Sequence, residues 1–401
     1  MVNVAILGFG VVGSGVYEVI TKNNEIIKQR AGKKINVKYI LDIRDFSNHE
    51  AANLFVKDFD TILNDDSVEI IAEVIGGATF AYECTKKALL KGKNVVTSNK
   101  ELVAKYGHEL LQIAKENNVK YYFEASVGGG IPIIRPLKTC LSANQICEIC
   151  GILNGTTNYI LSQMINNDKT LEEALKEAQE KGYAERDPSA DIEGHDASRK
   201  ICILSSLAYG KRVDSDKIYT EGITKLSLED VKLASKFGYV IKLLGHCKKV
   251  GDMLDVEVSP ALVPKHHPLA PVEDVFNAIL VNGDAVDDTM FYGRGAGKLP
   301  TASAVVADVI DIAKSDGFDP SLMWTDEGSD KIIDHLDSKK KFFIRLEGVK
   351  DVQTIKSNFD AVDVLNEKNE CVFITGIMSE KDINDKLTAL NSKIVSKIKV
   401  I

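Results

Sequence analysis

The stretch Val2–Gly13, VNVAILGFGVVG, decides the fold of the first part of the chain. Its first six residues are almost all apolar, which is typical of a strand buried in a parallel sheet. The glycines Gly8, Gly10 and Gly13 follow at once, and a helix is predicted from about Ser14 to Asn23. This order of strand, GxGxxG turn and helix predicts a dinucleotide-binding unit, because the turn and the helix N-terminus can hold a pyrophosphate.

The next predicted strand, residues 37–43, is followed by charges of both signs. Asp42 is placed to bond the ribose hydroxyls of NAD, whereas Arg44 could accommodate the additional phosphate of NADP. Arg44 could equally be a surface residue that pairs with Asp45. The residues alone therefore leave NAD and NADP both open.

Two further strand–helix units place polar residues at the carboxyl edge of the predicted sheet. One strand ends in Gly76-Gly77, and the other runs into Ser98-Asn99-Lys100. Ligands bind at this edge of open α/β sheets. Lys100 is therefore a candidate for the active site, and the alternative is a lysine that extends into solvent.

The segment 124–132, EASVGGGIP, follows another predicted strand. Three consecutive glycines in an irregular loop expose backbone carbonyl oxygens, which are the ligands that hard cations favour. A close approach to a cofactor would require the same glycines, so both interpretations stay open.

From about residue 136 strands alternate with long helices, such as those predicted at 171–180 and 196–209. This predicts an α+β second domain with an antiparallel or mixed sheet. The segment 154–158, NGTTN, could bind a substrate carboxylate, cap the next helix, or do both. Thr301 is predicted to be the N-cap of a helix that runs to about residue 315.

Residues 178–200, AQEKGYAERDPSADIEGHDASRK, are densely charged and end at Lys200, where an apolar run begins. Asp196 and Lys200 are four residues apart, so a helix brings them to one face. Carboxylates there could hold an ammonium group, and a partly desolvated lysine could transfer a proton. We expect a site for an amino acid with a reactive carbonyl, rather than a solvated helix face.

The chain of 401 residues is long enough for two or three domains. Its net charge of −8 and its lack of a basic tract argue against nucleic acid and membrane surfaces as partners. No signal peptide and no apolar run long enough for a membrane span are recognisable, so a cytoplasmic location is expected. The last residues, 342–401, are predicted to form a βαββαβ unit.

Six segments together resemble one family, the homoserine dehydrogenases, and they occur in the family's order over residues 1–316. They are GFGVVGSG, VVTSNKELVA, EASVGGGIPII, GILNGTTNYIL, the charged segment 178–200 and YGRGAGKLPTASAVVAD. The resemblance implies an α/β protein with a Rossmann dinucleotide-binding domain in 1–135, completed by 298–320. An α+β substrate-binding and dimerisation domain would occupy 136–297, and residues 340–401 resemble an ACT domain. The usual Asp-x-Pro-Gly turn of ACT domains is replaced by Glu347-Gly348-Val349-Lys350.

The resemblance implies the reversible, NADPH- or NADH-dependent reduction of L-aspartate 4-semialdehyde to L-homoserine, a step toward threonine, methionine and isoleucine. Lys200 would be the proton donor, with Lys100 and Asp191 as further catalytic residues. The substrate would be bound by Glu185, Asp196, Tyr183 and Thr156. The cofactor would be bound by Gly8, Phe9, Gly10, Val11, Val12, Gly13, Asp42, Arg44, Gly76, Lys100 and Gly297, and Arg44 favours NADP. A sodium ion would be held by Glu124, Val127, Gly129 and Ile131.

A homodimer or homotetramer is expected from the resemblance, with L-threonine as an effector of the tail. Two other functions stay open. An aspartate-semialdehyde dehydrogenase would require an activated cysteine, and none of the seven cysteines lies in such a context. A catalytically silent regulator that senses nucleotides and amino acids would not require the intact set Lys100, Glu185, Asp196 and Lys200.

Overall fold

The computed structural model of the chain describes residues 1–326, 331–349, 352–361, 363–367, 370–390 and 392–401. Contacts within it divide the chain into two compact units. Unit 1 comprises Met1–Gln145, Cys202–Ser215 and Phe291–Ser329, and unit 2 comprises Ile146–Ile201, Asp216–Met290 and Asp330–Ile401. The predicted boundaries of three domains stay a prediction.

Unit 1 contains a parallel sheet with helices between its strands. The strands are β1 (Val2–Leu7), β2 (Ile35–Leu41), β3 (Phe55–Val56), β4 (Val68–Glu73), β5 (Asn94–Thr97) and β6 (Tyr121–Tyr122). The helices are α1 (Val11–Lys22), α2 (Asn24–Ala31), α3 (Phe59–Leu63), α4 (Thr79–Leu90) and α5 (Lys100–Glu116). The strand order β3-β2-β1-β4-β5-β6 is that of a Rossmann fold, which confirms the prediction.

The order of the strands reverses beside β1, and this is where such folds bind dinucleotides. β1 pairs in parallel with β2 on one side and with β4 on the other. Its residues Val4 to Leu7 are completely buried, which explains the continuous apolar run in the sequence. The nucleotide turn therefore leaves the sheet from its centre.

Two glycines of this turn are required by its geometry. Gly8 has a φ of +93°, a conformation that residues with a side chain rarely adopt. A Cβ atom on Gly13 would lie 1.9 Å from the carbonyl oxygen of Gly8. The turn can therefore pack against the start of α1 only because both residues lack a side chain.

Unit 2 is built on a mixed sheet. The next elements along the chain are β7 (Ile146–Ile152), α6 (Gly155–Asn167), α7 (Leu171–Glu180), α8 (Ser189–Ile192), α9 (His195–Tyr209), β8 (Tyr219–Thr220), α10 (Leu228–Lys236), β9 (Tyr239–Val250), β10 (Met253–Pro264), β11 (Phe276–Gly283) and β12 (Asp287–Arg294). β9 and β10 form a long antiparallel hairpin, and β7 pairs antiparallel with both β9 and β11. The predicted α+β character of this region is confirmed.

Helix α11 (Lys298–Lys314) begins four residues earlier than predicted. Its N-cap is Gly297, and the Thr301 N–H already donates to the Gly297 carbonyl at 3.1 Å. The prediction of Thr301 as N-cap is therefore wrong. Pro300 lies in the first turn of this helix, where its missing N–H needs no partner.

The tail continues the sheet of unit 2. Its elements are β13 (Lys339–Glu347), α12 (Val352–Phe359), β14 (Val364–Glu367), β15 (Glu370–Ile374), the two-residue β16 (Met378–Ser379), α13 (Glu380–Ala389) and β17 (Lys393–Val400). Apart from β16 this is the predicted order of strands and helices. β17 pairs in parallel with β10 through Ala261↔Lys399 and Leu262↔Val400, so one sheet runs from β12 to β14.

The apolar residues of the tail form a core of their own. Phe342, Ile344 and Leu346 of β13 pack with the helix residues Ile355, Phe359, Ile383 and Leu387.

No helix in the described ranges is both long and apolar enough to cross a membrane.

Candidate functional site

The nucleotide edge of unit 1 is formed by the GxGxxG turn and the start of α1. Gly10 is the N-cap of α1 without a capping side chain, and an added Cβ there would have no atom within 4 Å. The Val11 side chain is exposed, whereas Phe9 is buried. The free N–H groups of the first turn and the space above Gly10 suit a pyrophosphate.

Asp42, which follows β2, lies beside this turn and accepts four hydrogen bonds. The Phe9 N–H donates at 2.7 Å, the Arg44 N–H at 2.9 Å, and the Arg44 guanidinium at 3.0 and 2.8 Å. The guanidinium holds the pKa of the Asp42 carboxyl well below its usual range. Arg44 therefore pairs with Asp42 and not with Asp45. The Asp45 carboxylate instead accepts hydrogen bonds from the Ser47 N–H and hydroxyl.

Lys57 is a second cation at this place, and the sequence reasoning missed it. Its Nζ donates to the Asp42 carbonyl at 3.0 Å and also to the Arg44 carbonyl. Because it precedes α3 in an ordinary loop, only the tertiary structure reveals its proximity to Arg44. The Asp42 carboxylate is thus paired with Arg44, and Lys57 binds the backbone carbonyls of both residues.

A cavity of about 450 Å³ opens next to these residues. Its walls include Gly8, Asp42, Lys57, Ile43, Phe80 and Cys84. The Ile43 side chain is 92 % exposed and that of Phe80 is 55 % exposed, which leaves apolar surface available for a flat ring. The cavity can hold the adenosine half of a dinucleotide.

Three further residues predicted to bind the cofactor, Lys100, Gly76 and Gly297, also belong to unit 1. Lys100 is the first residue of α5 and is half-buried, and Asn99 caps this helix by accepting a hydrogen bond from the Leu102 N–H. Gly76 is exposed in the turn after β4. Gly297, with a φ of +126°, is the N-cap of α11.

The loop proposed for a sodium ion is buried and rich in backbone oxygens. The Glu124 carboxylate accepts the N–H groups of Ile133, Ile134 and Arg135 at 2.7, 3.0 and 2.6 Å, so its oxygens are already engaged. Over the described residues, no backbone hydrogen bond reaches the carbonyl oxygens of Val127, Gly129 or Ile131.

Carbonyl oxygens of this kind are ligands that hard cations favour. The described part of the chain contains no group of three His, Cys, Asp or Glu side chains suited to a metal.

Unit 2 contains a cluster of buried charges around Lys200. Its Nζ donates to the Asp196 carboxylate and to the Leu153 carbonyl, both at 2.7 Å. The contact predicted from the spacing of Asp196 and Lys200 is present. Both side chains are at most one-tenth exposed, so the ammonium is held in a largely desolvated place.

Asn154 joins a second carboxylate to this cluster. Its Nδ2 donates to Asp191 at 2.7 Å and to Asp196 at 2.8 Å, while its Oδ1 accepts the Thr157 N–H and caps α6. Burial raises the pKa of Asp191, and the negative charge of Asp196 adds to this effect. The bridging role of Asn154 was not predicted, because Asn154 and the two acids are brought together only by folding.

The remaining predicted substrate residues lie close to the same elements of unit 2. The Thr156 hydroxyl donates to the Tyr183 carbonyl at 2.7 Å, and the Tyr183 ring packs edge-on against Tyr159. Glu185 is exposed, and its backbone carbonyl accepts a hydrogen bond from Gln179. The hydrogen bonds described above for Lys200, Asn154 and Thr156 do not include the Glu185 carboxylate.

Comparison with known proteins decides the family. Residues 8–124 match the family profile "Homoserine dehydrogenase, NAD binding domain", and residues 132–310 match the profile "Homoserine dehydrogenase". The chain belongs to the homoserine dehydrogenase family. It is therefore an oxidoreductase, and its cofactor is a nicotinamide dinucleotide.

Curated homoserine dehydrogenases resemble the chain over most of its length. That of Neisseria gonorrhoeae is 46 % identical over 316 residues, which cover 78 % of this chain and 72 % of the relative. That of Bacillus subtilis is 42 % identical over 318 residues, covering 78 % and 73 %.

Solved homoserine dehydrogenases share the fold. The crystal structure of the Thiobacillus denitrificans protein superposes with a TM-score of 0.92 at 36 % identity, over 100 % of this chain and 98 % of that chain. A hyperthermophilic archaeal homoserine dehydrogenase in complex with NADPH has a TM-score of 0.67 at 30 % identity, over 79 % of this chain and 99 % of that chain.

Proposed function

We propose that the chain catalyses the reversible reduction of L-aspartate 4-semialdehyde to L-homoserine, with Lys200 as the proton donor. The observation that carries this proposal is the buried cluster of Lys200, Asp196, Asn154 and Asp191. It combines a fixed ammonium group with two carboxylates, which suits a substrate that has an amino group and a carbonyl.

The hydrogen bonds of the Lys200 ammonium group fit its proposed role as proton donor. An ammonium group has three N–H donors, and two of those of Lys200 point to Asp196 and Leu153. In this proposal the third N–H donates to the carbonyl oxygen of the substrate, stabilises the developing negative charge, and is then transferred as the proton. A bound nicotinamide supplies the hydride, or accepts it in the reverse direction.

The carboxylates have separate roles in this proposal. Asp196 holds Lys200 in place and, with Glu185, Tyr183 and Thr156, binds the polar groups of the substrate. Asp191 shares the amide of Asn154 with Asp196, which fixes the distance between the two acids. The resemblance to the family adds Lys100 as a further catalytic residue.

NADP is the preferred cofactor in this proposal. Asp42 is the acid that would bond the ribose hydroxyls of NAD, but Arg44 already occupies its carboxylate. Arg44 and Lys57 together provide two cations for a 2′-phosphate. Gly8 to Gly13, Gly76, Lys100 and Gly297 complete the cofactor site.

A sodium ion on the carbonyl oxygens of the loop 124–131 is a further part of the proposal. It is supported by the three buried carbonyl oxygens of Val127, Gly129 and Ile131 that the backbone leaves without donors within the described ranges. The ion would stabilise the loop, and no step of the reaction depends on it.

The tail is proposed to be an ACT-like unit that L-threonine binds. Its support is the order of its strands and helices; Lys350 of the divergent turn lies outside the described residues. If added L-threonine changed neither activity nor melting temperature, the tail would be structural. Assembly as a homodimer or homotetramer and a cytoplasmic location also stay predictions.

The alternative of an aspartate-semialdehyde dehydrogenase lacks support. That reaction needs a nucleophilic thiolate. Burial instead raises the pKa of the Cys84 thiol to about 12 and also raises the pKa of the Cys150 and Cys371 thiols. The intact cluster around Lys200 likewise gives no support to a silent regulator.

The test is homoserine-dependent reduction of NADP and, in parallel, of NAD, followed by the absorbance of the reduced nicotinamide. We expect turnover with both, with a higher kcat/KM for NADP. A pure, folded protein that binds NADPH but turns over neither cofactor with homoserine would contradict the proposal.

A further inference from the structure

Glu73, the last residue of β4, has a carboxyl group that the proposed reaction does not use. Its side chain is completely buried. Its oxygens accept hydrogen bonds from the Ile75 N–H at 2.7 Å and from the Thr97 hydroxyl at 2.5 Å. Burying a carboxyl group is costly unless it is hydrogen-bonded, and Glu73 meets this requirement by holding the Ile75 backbone and the Thr97 side chain.

Thr97 and Asn99 extend these contacts along the edge of the sheet. The Thr97 hydroxyl accepts the Asn99 N–H at 2.9 Å. The Asn99 amide donates to the carbonyls of Ile75 at 3.1 Å and Gly77 at 2.7 Å, and its oxygen accepts the Leu102 N–H at 3.0 Å. Three side chains thus join the ends of β4 and β5 to the turn 75–77 and to the first turn of α5.

Both segments held by this network are parts of the candidate site. The turn 75–77 contacts the nucleotide turn, since a Cβ on Gly8 would lie 3.2 Å from the Ile75 side chain. The first residue of α5 is Lys100. A shift of the network would therefore move the cofactor turn and the candidate lysine together.

We propose that Glu73, Thr97 and Asn99 are positioning residues, which fix the turn 75–77 and Lys100 in the arrangement that cofactor binding and turnover require. This inference rests on the proposed function for its activity readout. The three residues act through the backbone of their neighbours and need not touch the substrate.

The experiment compares two identical changes at buried threonines of unit 1. Thr97→Val removes a hydroxyl of the network, whereas Thr85→Val removes a completely buried hydroxyl for which the described structure shows no hydrogen-bond partner. We expect Thr97→Val to lower kcat about 10- to 100-fold with little change in the KM for homoserine, because misplaced groups reduce turnover more than binding. Thr97→Ser should restore kcat, and Thr85→Val should leave it unchanged.

Asn99→Asp provides a second measurement if Thr97→Val does not fold. It keeps the oxygen that caps α5 but loses both amide donors to the turn 75–77. We expect the Kd for NADPH, measured by nicotinamide fluorescence, to rise about 10-fold. This readout does not depend on turnover.

Two results would overturn the inference. One is wild-type kcat and NADPH affinity in both network variants, and the other is an equal loss of kcat in Thr85→Val and Thr97→Val. If the wild-type protein did not oxidise homoserine, the proposed function would fail, and the NADPH affinities of Asn99→Asp and Thr97→Val would decide the positioning role alone.

Discussion

Lys200 donates a 2.7 Å hydrogen bond to the carboxylate of Asp196, one turn earlier on helix α9. Both groups are buried, and since their charges are opposite, each compensates the charge of the other. Removing one partner of such a pair leaves the other charge unpaired in a poorly solvated place. The pair is therefore sensitive to substitution in both activity and stability.

Lys200→Met should reduce kcat about 10²- to 10⁴-fold, because it removes the proposed proton donor. The Kd for NADPH should stay within about twofold, since the predicted cofactor residues belong to unit 1. The matched control is Lys225→Met, which removes an exposed lysine that also pairs with an acid four residues earlier. Substantial turnover by Lys200→Met in a stopped assay with homoserine would exclude Lys200 as the donor.

Glu73 should give the protein a characteristic dependence of stability on pH. Burial raises the pKa of its carboxyl from 4.5 to about 7. A raised pKa means that the stabilising contribution is fully present below pH 4.5 and is lost as the pH rises through 7. The free energy of unfolding of the wild type, relative to Glu73→Gln, should therefore fall by at most about 3 kcal/mol over this range.

Urea unfolding of both proteins between pH 4.5 and 8 checks this prediction. Glu69→Gln, on the same strand but exposed, should show no such pH-dependent difference from the wild type. A constant difference between Glu73→Gln and wild type across the range would contradict it.

Arg44→Ser should shift the cofactor preference toward NAD. The change removes the cation proposed to bind the 2′-phosphate, and it frees the Asp42 carboxylate from its pairing with Arg44. Loss of a charge-assisted hydrogen bond corresponds to about 10- to 100-fold in the ratio of kcat/KM for NADP to that for NAD. Arg30→Ser, an exposed site on α2, should leave the ratio unchanged, and an unchanged ratio in Arg44→Ser would assign cofactor choice to other residues.

Gly129→Ala should destabilise the protein far more than a glycine with a similar backbone conformation elsewhere. Gly129 has a φ of +54°, and an added Cβ would lie 2.5 Å from the carbonyl oxygen of Gly295. Gly92→Ala is the control, because its φ is +78° and no atom lies within 4 Å. We expect a cost of about 1 kcal/mol for Gly92→Ala from the backbone alone, and several kcal/mol for Gly129→Ala, measured by urea unfolding. Equal losses would show that the loop adapts.

Lys399→Met should weaken the junction between the tail and β10. The Lys399 ammonium pairs with Glu257 at 2.5 Å, and the positive charges of Lys399 and Lys340 lower the pKa of the buried Glu257 to about 2. A buried acid left without a partner costs about 3–5 kcal/mol, and because Lys340 still pairs with Glu257 at 2.6 Å, the loss should stay below this range. Lys393→Met, on the same strand but 74 % exposed, should cost less than about 1 kcal/mol. Thermal unfolding of the two variants distinguishes a buried ion pair from a solvated one.

The local features of the chain followed from the sequence. The apolar run of β1, the GxGxxG turn, the order of elements in the tail and the contact between Asp196 and Lys200 depend on spacing along a strand or a helix. Such spacing determines which side chains share a face. Where a local signal was ambiguous the prediction failed, as for Thr301, or left alternatives open, as for Arg44, whose partner in the structure is Asp42 and not Asp45.

The tertiary structure alone decided the contacts between residues distant in sequence. Asn154 bridges Asp191 and Asp196, Lys57 lies beside Arg44, and Glu73 holds Thr97, each across at least 13 positions. The pairing of β17 with β10 is another contact between segments that are distant in sequence. The sequence alone determined the Rossmann motif, the charged segment ending at Lys200 and the resemblance to a family. Which polar groups meet in the interior was set by strand order and by the requirement that buried donors and acceptors find partners, neither of which a local pattern contains.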